Sequence, residues 1–225
     1  MKQRSACAYP SQGGIGRLPP PRDRILDVAR EMFYWHGIRA VGVEAIAEAA
    51  GTNKMTLYRH FASKDALVVE CLRGLAELAE AEWQVLRQQY PDDPYAQLHG
   101  WLRLVSDFAE TAGRRGCGLA NAAVELPEAD HPARRIIEEF KRDQRNQIVA
   151  LCQSAGIGQP DRLADELFLL IEGARVSIQS AGPDGPGSRL LDLAERLIAP
   201  EFKRAAARKA GRPRKGGARG AGTAS

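Results

Sequence analysis

Few residues in this chain are placed to do bond chemistry. His36, His60, His99 and His131 fall on four separate segments with no H-x-x-x-H pair, and there is neither a G-x-S-x-G elbow nor a phosphate-cradling glycine loop. Cys7, Cys71, Cys117 and Cys152 are scattered, without a C-x-x-C or a Cys/His cluster at metal-ligand spacing, so no disulfide framework, zinc site or other cofactor is expected. Cys117 follows Arg114 and Arg115, which would favour a thiolate, but arginines in a loop are more simply solvated. One stretch concentrates groups of another kind. Lys54, Met55, Thr56 and Arg59 offer cations, a hydroxyl and methyl groups close together. These suit contacts to phosphate oxygens and base edges rather than catalysis, and no enzyme is expected.

The segments around that stretch explain how it would be held. Ile25, Val28, Ala29, Met32 and Phe33 follow the i, i+3, i+4, i+7, i+8 spacing of one helical stripe. Gly37 can end that helix in a left-handed conformation. Val43, Ile46, Ala47 and Ala50 make a second, short helix, Gly51 permits a tight turn, and Asn53 can cap a third helix from about Lys54 to His60. Two short helices joined by a glycine-containing turn form a helix-turn-helix. On its second helix Lys54, Met55, Thr56 and Arg59 would project into a major groove, while Leu57 and Phe61 hold the helix to the core.

These residues resemble the N-terminal domain of TetR-type transcriptional repressors. The resemblance rests on Ile25, Leu26, Ala29 and Phe33, then Ile46, Ala47, Ala50 and Gly51, then Leu57, Tyr58, His60, Phe61 and Lys64. It covers roughly the first third of the chain. It implies that Tyr58, His60 and Lys64 hold phosphates, with Thr52 a weaker candidate, and that a long helix links a DNA-binding head to a ligand-binding body. Thr52 stands where the family often has an apolar residue, and Met55 where it often has a small one, so the operator sequence does not carry over.

Charge divides the chain in the same sense. Residues 1–70 hold 10 Lys/Arg and 7 Asp/Glu, residues 71–202 hold 14 and 21, and residues 203–225 hold 8 Lys/Arg and no acid. The two ends favour a polyanion and the middle does not. The expected organisation is a disordered arm over 1–21, in which Lys2, Arg4 and Arg17 can trail along phosphates, a helix-turn-helix domain over 22–66, a ligand-binding and dimerisation domain over 67–202, and a disordered basic tail over 203–225. No apolar run approaches the 18 or more residues of a membrane span, and the start lacks a secretory apolar region, so no membrane association and a cytoplasmic location are expected.

The body reads as all-α, giving about nine helices in total. Ser63 caps a helix running from Lys64 towards Tyr90, with Val68, Leu72, Leu75, Ala79, Trp83, Leu86 and Tyr90 on one stripe, and about 27 residues at 1.5 Å each span roughly 40 Å. Further helices start at Pro94, near Leu119, at a cap around Asp130, near Leu163 and near Leu190. Trp101, Phe108 and Phe140 could line a cavity with the polar Asn121, Glu125 and Gln144 around it, and the resemblance raises the expectation of a small-molecule inducer there. The alternative for these residues is plain core and solvated faces. FLLIEGARVSIQ is apolar over more than one face, which places Leu167, Ile171, Ala174 and Ile178, with Leu191, Ala194 and Ile198 of the last helix, at the interface of a homodimer. In the tail, Gly211, Arg212 and Pro213 resemble the core of an AT-hook, whose extended Arg can enter an A·T minor groove. The expected partner is double-stranded DNA with a palindromic operator, bound by a repressor that a ligand releases. The contrasting readings are an architectural DNA-compacting protein using both basic ends, and a helical interaction module without DNA binding.

Overall fold

The computed structural model describes residues 18–111 and 115–210, which form nine α-helices and one 3-10 turn, with no strand among them. The first three helices are α1 (Pro21–His36), α2 (Val43–Ala49) and α3 (Lys54–His60). Ile25, Ala29, Phe33 and Tyr34 of α1 are buried, and the same stripe meets Ile46, Ala47, Leu57 and Phe61 of the neighbouring helices. Asn53 accepts a hydrogen bond from the Thr56 backbone N–H, which satisfies one of the free donors at the start of α3. Gly51, at φ +63, makes the tight turn between α2 and α3.

Helix α4 (Lys64–Gln89) begins at a Ser63 cap whose hydroxyl accepts from the Ala66 N–H. It is followed by α5 (Pro94–Thr111), α6 (Gly118–Glu125), α7 (Pro132–Ala155), α8 (Pro160–Ala181) and α9 (Leu190–Ala210). The cap of α7 is His131, which accepts from the Ala133 N–H through Nδ1, rather than Asp130.

Buried apolar residues fall into two clusters. The first joins α1, α2 and α3 to Leu67, Val68, Leu72 and Leu75 of α4, to Leu119 and Ala122 of α6, and to Ala133, Ile137 and Phe140 of α7. The second joins Trp83 and Leu86 of α4 to α5, to Ile148 and Cys152 of α7, and to α8 and α9. Helices α4 and α7 therefore run through both. A boundary drawn at residue 66 cuts through the first cluster, because a three-helix head of this size leaves an apolar face that the first turns of α4 must cover.

Residues 203–210, expected to be part of a disordered basic tail, are helical. Helix α9 continues to Ala210, Ala205 is 2 % exposed within the second cluster, and the Lys209 ammonium donates to the Ser154 carbonyl. Ala205 packs inward while Ala206 and Ala207 are exposed, and the Arg208 guanidinium and the Lys209 stem lie against Gly158 and Gly156 of the α7–α8 connection. Residues 211–225, and with them Arg212, lie outside the described residues, as do Lys2, Arg4, Cys7 and Arg17. A chain ending at Phe202 should lose this packing and unfold a few degrees lower, since a change of 1 kcal/mol moves Tm by roughly 2–4 °C at this length. An unchanged Tm in scanning calorimetry would show that residues 203–210 add nothing to the fold.

Candidate nucleic-acid interface

On α3 the division between anchoring and projecting side chains follows helical geometry. Leu57 is fully buried and Phe61 nearly so, which turns the opposite face outward. Met55 is 80 % exposed and Arg59 is exposed, and both can meet a groove. Thr56 is half-buried beside the Asn53 cap. Tyr58 stands on the same outer side, 40 % exposed, with the Lys54 ammonium 5.9 Å from its ring centroid.

Lys54 is not free. Its Nζ donates to Glu44 Oε1 of α2 at 2.5 Å, and this hydrogen bond lowers the Glu44 pKa and raises that of Lys54. Both groups face solvent, so the pair is weak in energy, but it partly neutralises the cation at the edge of α3. Lys64 occupies the first helical position of α4, half-buried beside the free N–H groups that favour an anion. His60 is half-buried, and its Nε2 is enclosed without a hydrogen-bond partner, so that nitrogen is turned away from any phosphate. Thr52 donates its backbone N–H to the Ala47 carbonyl and holds the turn. The eight residues of this group lie together at one end of the molecule.

Three further residues shape this end without having stood out in the sequence. Arg24 of α1 donates to the Ala50, Gly51 and Pro19 carbonyls, at 3.0, 3.4 and 2.9 Å, and so ties the α2–α3 turn to α1. Its place in the first turn of α1 was the only signal. Glu44 sets the state of Lys54. Arg39, in the loop after α1, donates its backbone N–H to the Glu125 carboxylate at 3.1 Å, its Nε to the Glu125 carbonyl at 2.6 Å, and pairs with Glu128 at 2.8 Å. Gly37 at φ +89 lies so close to α6 that a Cβ there would come within 2.9 Å of the Glu125 carboxylate. Nothing in the linear spacing announced that contact.

In the cavities lined by described residues, the six residues expected around a ligand are not brought together. Glu125 belongs to the clamp with Arg39, and Asn121 donates to the Arg115 carbonyl, so both serve the junction of α6 with the head. Trp101 is 3 % exposed and stacked on Trp83 with ring centroids 4.8 Å apart, a core pair. Phe108 is buried on α5. Phe140 and Gln144 do meet, in a cleft of about 680 Å³ between α4 and α7. The interface residues also require correction. Leu167, Ile171, Ala174, Ile178, Ala194 and Ile198 are all buried within a single chain, leaving no area for a partner, and Leu191 is only half-buried. The run FLLIEGARVSIQ is apolar on several faces because its inner face meets α7 and α9, while Leu169 and Val176 point outward at 70 % and 62 % exposure. Burial raises the Cys71 thiol to about 12 and the Cys152 thiol to about 11, so both are poor nucleophiles.

Residues 25–71 match the family model described as bacterial regulatory proteins, tetR family. The chain is 29 % identical over 175 residues to the HTH-type transcriptional repressor KstR2 of Mycobacterium tuberculosis, covering 76 % of this chain and 86 % of that protein. A crystal structure of a TetR-family transcriptional regulator from Streptomyces coelicolor superposes with TM-score 0.72 at 26 % identity, covering 82 % of this chain and 95 % of that one. The structure of the ketosteroid transcriptional regulator KstR2 of Mycobacterium tuberculosis superposes with TM-score 0.57 at 26 % identity, over 84 % and 96 %. The relatives are regulators rather than enzymes.

Glu44→Ala should release the Lys54 ammonium. Affinity for DNA of any sequence should rise, and the slope of log affinity against log salt should steepen by about one, as one more phosphate is neutralised. An unchanged slope would mean that Lys54 already leaves Glu44 when DNA binds.

Proposed function

We infer that this chain, a DNA-binding transcriptional regulator of TetR type, acts as a homodimeric repressor that occupies a palindromic operator until a small molecule releases it. The observation that carries this reading is the exposed face of α3, where Met55 and Arg59 project while Leu57 anchors the helix from behind. Arg59 is the guanine reader, Met55 and the Thr56 methyl are the thymine contacts, and Tyr58 and Lys64 hold phosphates. Lys54 joins them once it exchanges Glu44 for phosphate. His60 is a weaker phosphate candidate through Nδ1 alone, and Thr52 supports the turn. The relative KstR2 is a transcriptional repressor, which supports the sign of regulation proposed here. The protein acts in the cytoplasm, where its DNA lies, and no described helix is long and apolar enough to cross a membrane.

A single helix-turn-helix binds weakly, whereas a two-fold dimer reads two half-sites. The surface proposed for that dimer is the outer face of α8 and α9: Leu169, Gly173 and Val176 recur at i, i+4, i+7, with Leu193 on α9. A Cβ at Gly173 would meet nothing within 4 Å, leaving room for a second backbone to approach. Arg212 remains proposed as a contact to an A·T minor groove flanking the operator.

Footprinting and titration on the mapped operator test the DNA reading. Arg59→Ala should cost about 1–3 kcal/mol and relax preference at one symmetric position, whereas Lys64→Ala should weaken all sequences alike. In the same titration Arg212→Ala should leave affinity for a bare operator unchanged. Loss of preference in the Lys64 variant but not in the Arg59 variant would reverse the two roles, and uniform coverage of long DNA by the wild type would favour an architectural protein. For assembly, Val176→Asp should give a folded monomer in sedimentation, with an unchanged circular dichroism spectrum. A dimer that survives this change would place the interface elsewhere.

A further inference from the structure

The cleft between α4 and α7 is floored by Trp83, Ile136 and Phe140. Gln144 lines it too, only 6 % exposed, and its Oε1 has no hydrogen-bond partner. A buried acceptor without a donor is an unmet demand; Oε1 is enclosed in this structure, and a turn of the Gln144 amide about its soft last torsion presents it to a ligand that brings a donor. The charges at the mouth limit what that ligand can be. Arg73 is engaged by Glu70, Arg135 by Glu139, and Glu80 by Arg87 and Gln147. Glu77 on one wall and Asp143 on the other make no ion pair among the described residues. The cleft therefore offers an apolar aromatic floor, an unpaired buried acceptor and two uncompensated carboxylates. A carboxylate or phosphate ligand would meet repulsion from Glu77 and Asp143 at the mouth, which the neutral Gln144 amide does not offset.

We propose that the α4–α7 cleft binds an organic cation with an apolar or aromatic body, a protonated amine whose N–H donates to Gln144 Oε1 between Glu77 and Asp143 while the body lies on Trp83, Ile136 and Phe140. This rests on the reading of the chain as a ligand-responsive regulator, and it assigns the effector's chemical class. The position suits such a role. Phe140 belongs to the core shared with the DNA-binding head and Trp83 to the core of the body, so an occupant bears on α4 and α7 where they pass from one to the other.

The test is calorimetric titration of the full-length protein with 4-phenylbutylamine and with its anionic counterpart 4-phenylbutyrate. The amine should bind saturably, one per chain, and at least tenfold more tightly than the carboxylate. Gln144→Leu should weaken the amine about tenfold, and the doubly exposed variant Glu77→Gln with Asp143→Asn should remove the preference for amine over carboxylate while leaving the fold intact by circular dichroism. Equal or tighter binding of the carboxylate, no saturable binding of the amine up to millimolar concentration, or unchanged amine affinity in both variants would overturn the assignment. Operator affinity is measured separately with and without the amine. A bound amine that leaves operator affinity unchanged supports the site and overturns only the reading of it as the regulatory one.

Discussion

The contact on which the rest of the molecule depends is the burial of α4 and α6 against the DNA-binding head. Three short helices cannot enclose Phe33, Val41 and Leu57 by themselves, and the remaining cover comes from Leu67, Leu72 and Leu75 of α4 with Leu119 and Ala122 of α6. Polar contacts fix the arrangement once packing has brought it together. Tyr34 donates to the Gly116 carbonyl at 3.2 Å, and Arg39 grips Glu125 and Glu128 at the end of α6. The head therefore cannot reorient without carrying α4 or breaking from α6. A ligand that favoured one arrangement of the body over another would bear on α3 through these packed side chains.

Between the two apolar cores lies a seam of buried polarity. Lys141 of α7 donates to Glu172 of α8 at 2.6 Å, and Arg175, 6 % exposed, donates to the other oxygen of the same carboxylate at 2.9 Å. Burial pushes the Glu172 pKa up, but the two cations beside it outweigh that and hold it below the ordinary carboxylate value. Such a group contributes its stabilisation above the usual carboxylate range and loses it as pH falls through the lowered pKa. An ion triad of this kind adds little net stability over apolar packing, yet losing one member leaves buried charge uncompensated. It fixes the register of α7 on α8, and through α7 the geometry of the cleft beside Gln144.

The DNA-facing end is less basic than its cations suggest. Lys54 is drawn to Glu44, and Arg22 is held by Glu70 at 2.9 Å while lying 5.3 Å from the centre of the Phe61 ring. Arg24 spends its donors on backbone carbonyls of the turn. Arg59 and Met55 are left as projecting residues with no such engagement to break. On the proposed reading, base contacts fall to a few side chains, with the surrounding charge serving structure or held in weak pairs that phosphate can replace.

The helix-turn-helix was legible in the sequence because its determinants are local. The stripe from Ile25 to Phe33, the Asn53 cap, the Gly51 turn and the anchoring Leu57 act within one or two turns of themselves, where 3.6-residue periodicity and capping chemistry apply directly. The succession of helices in the body was legible for the same reason, from Ser63, Pro94 and Gly156 at their ends. What each apolar face meets was not. Ile171 and Ala194 turned inward and Val176 outward, although all lie on helices with apolar residues around most of the circumference, where periodicity cannot tell a partner's surface from the chain's own core. The role of Glu125 as a clamp on Arg39 and the facing of Phe140 and Gln144 to Trp83 were likewise decided only by the tertiary structure, since they join residues of different elements, tens of positions apart. Local backbone preferences set where helices begin and end, while the side-chain partners of each helix depend on how all nine are packed at once.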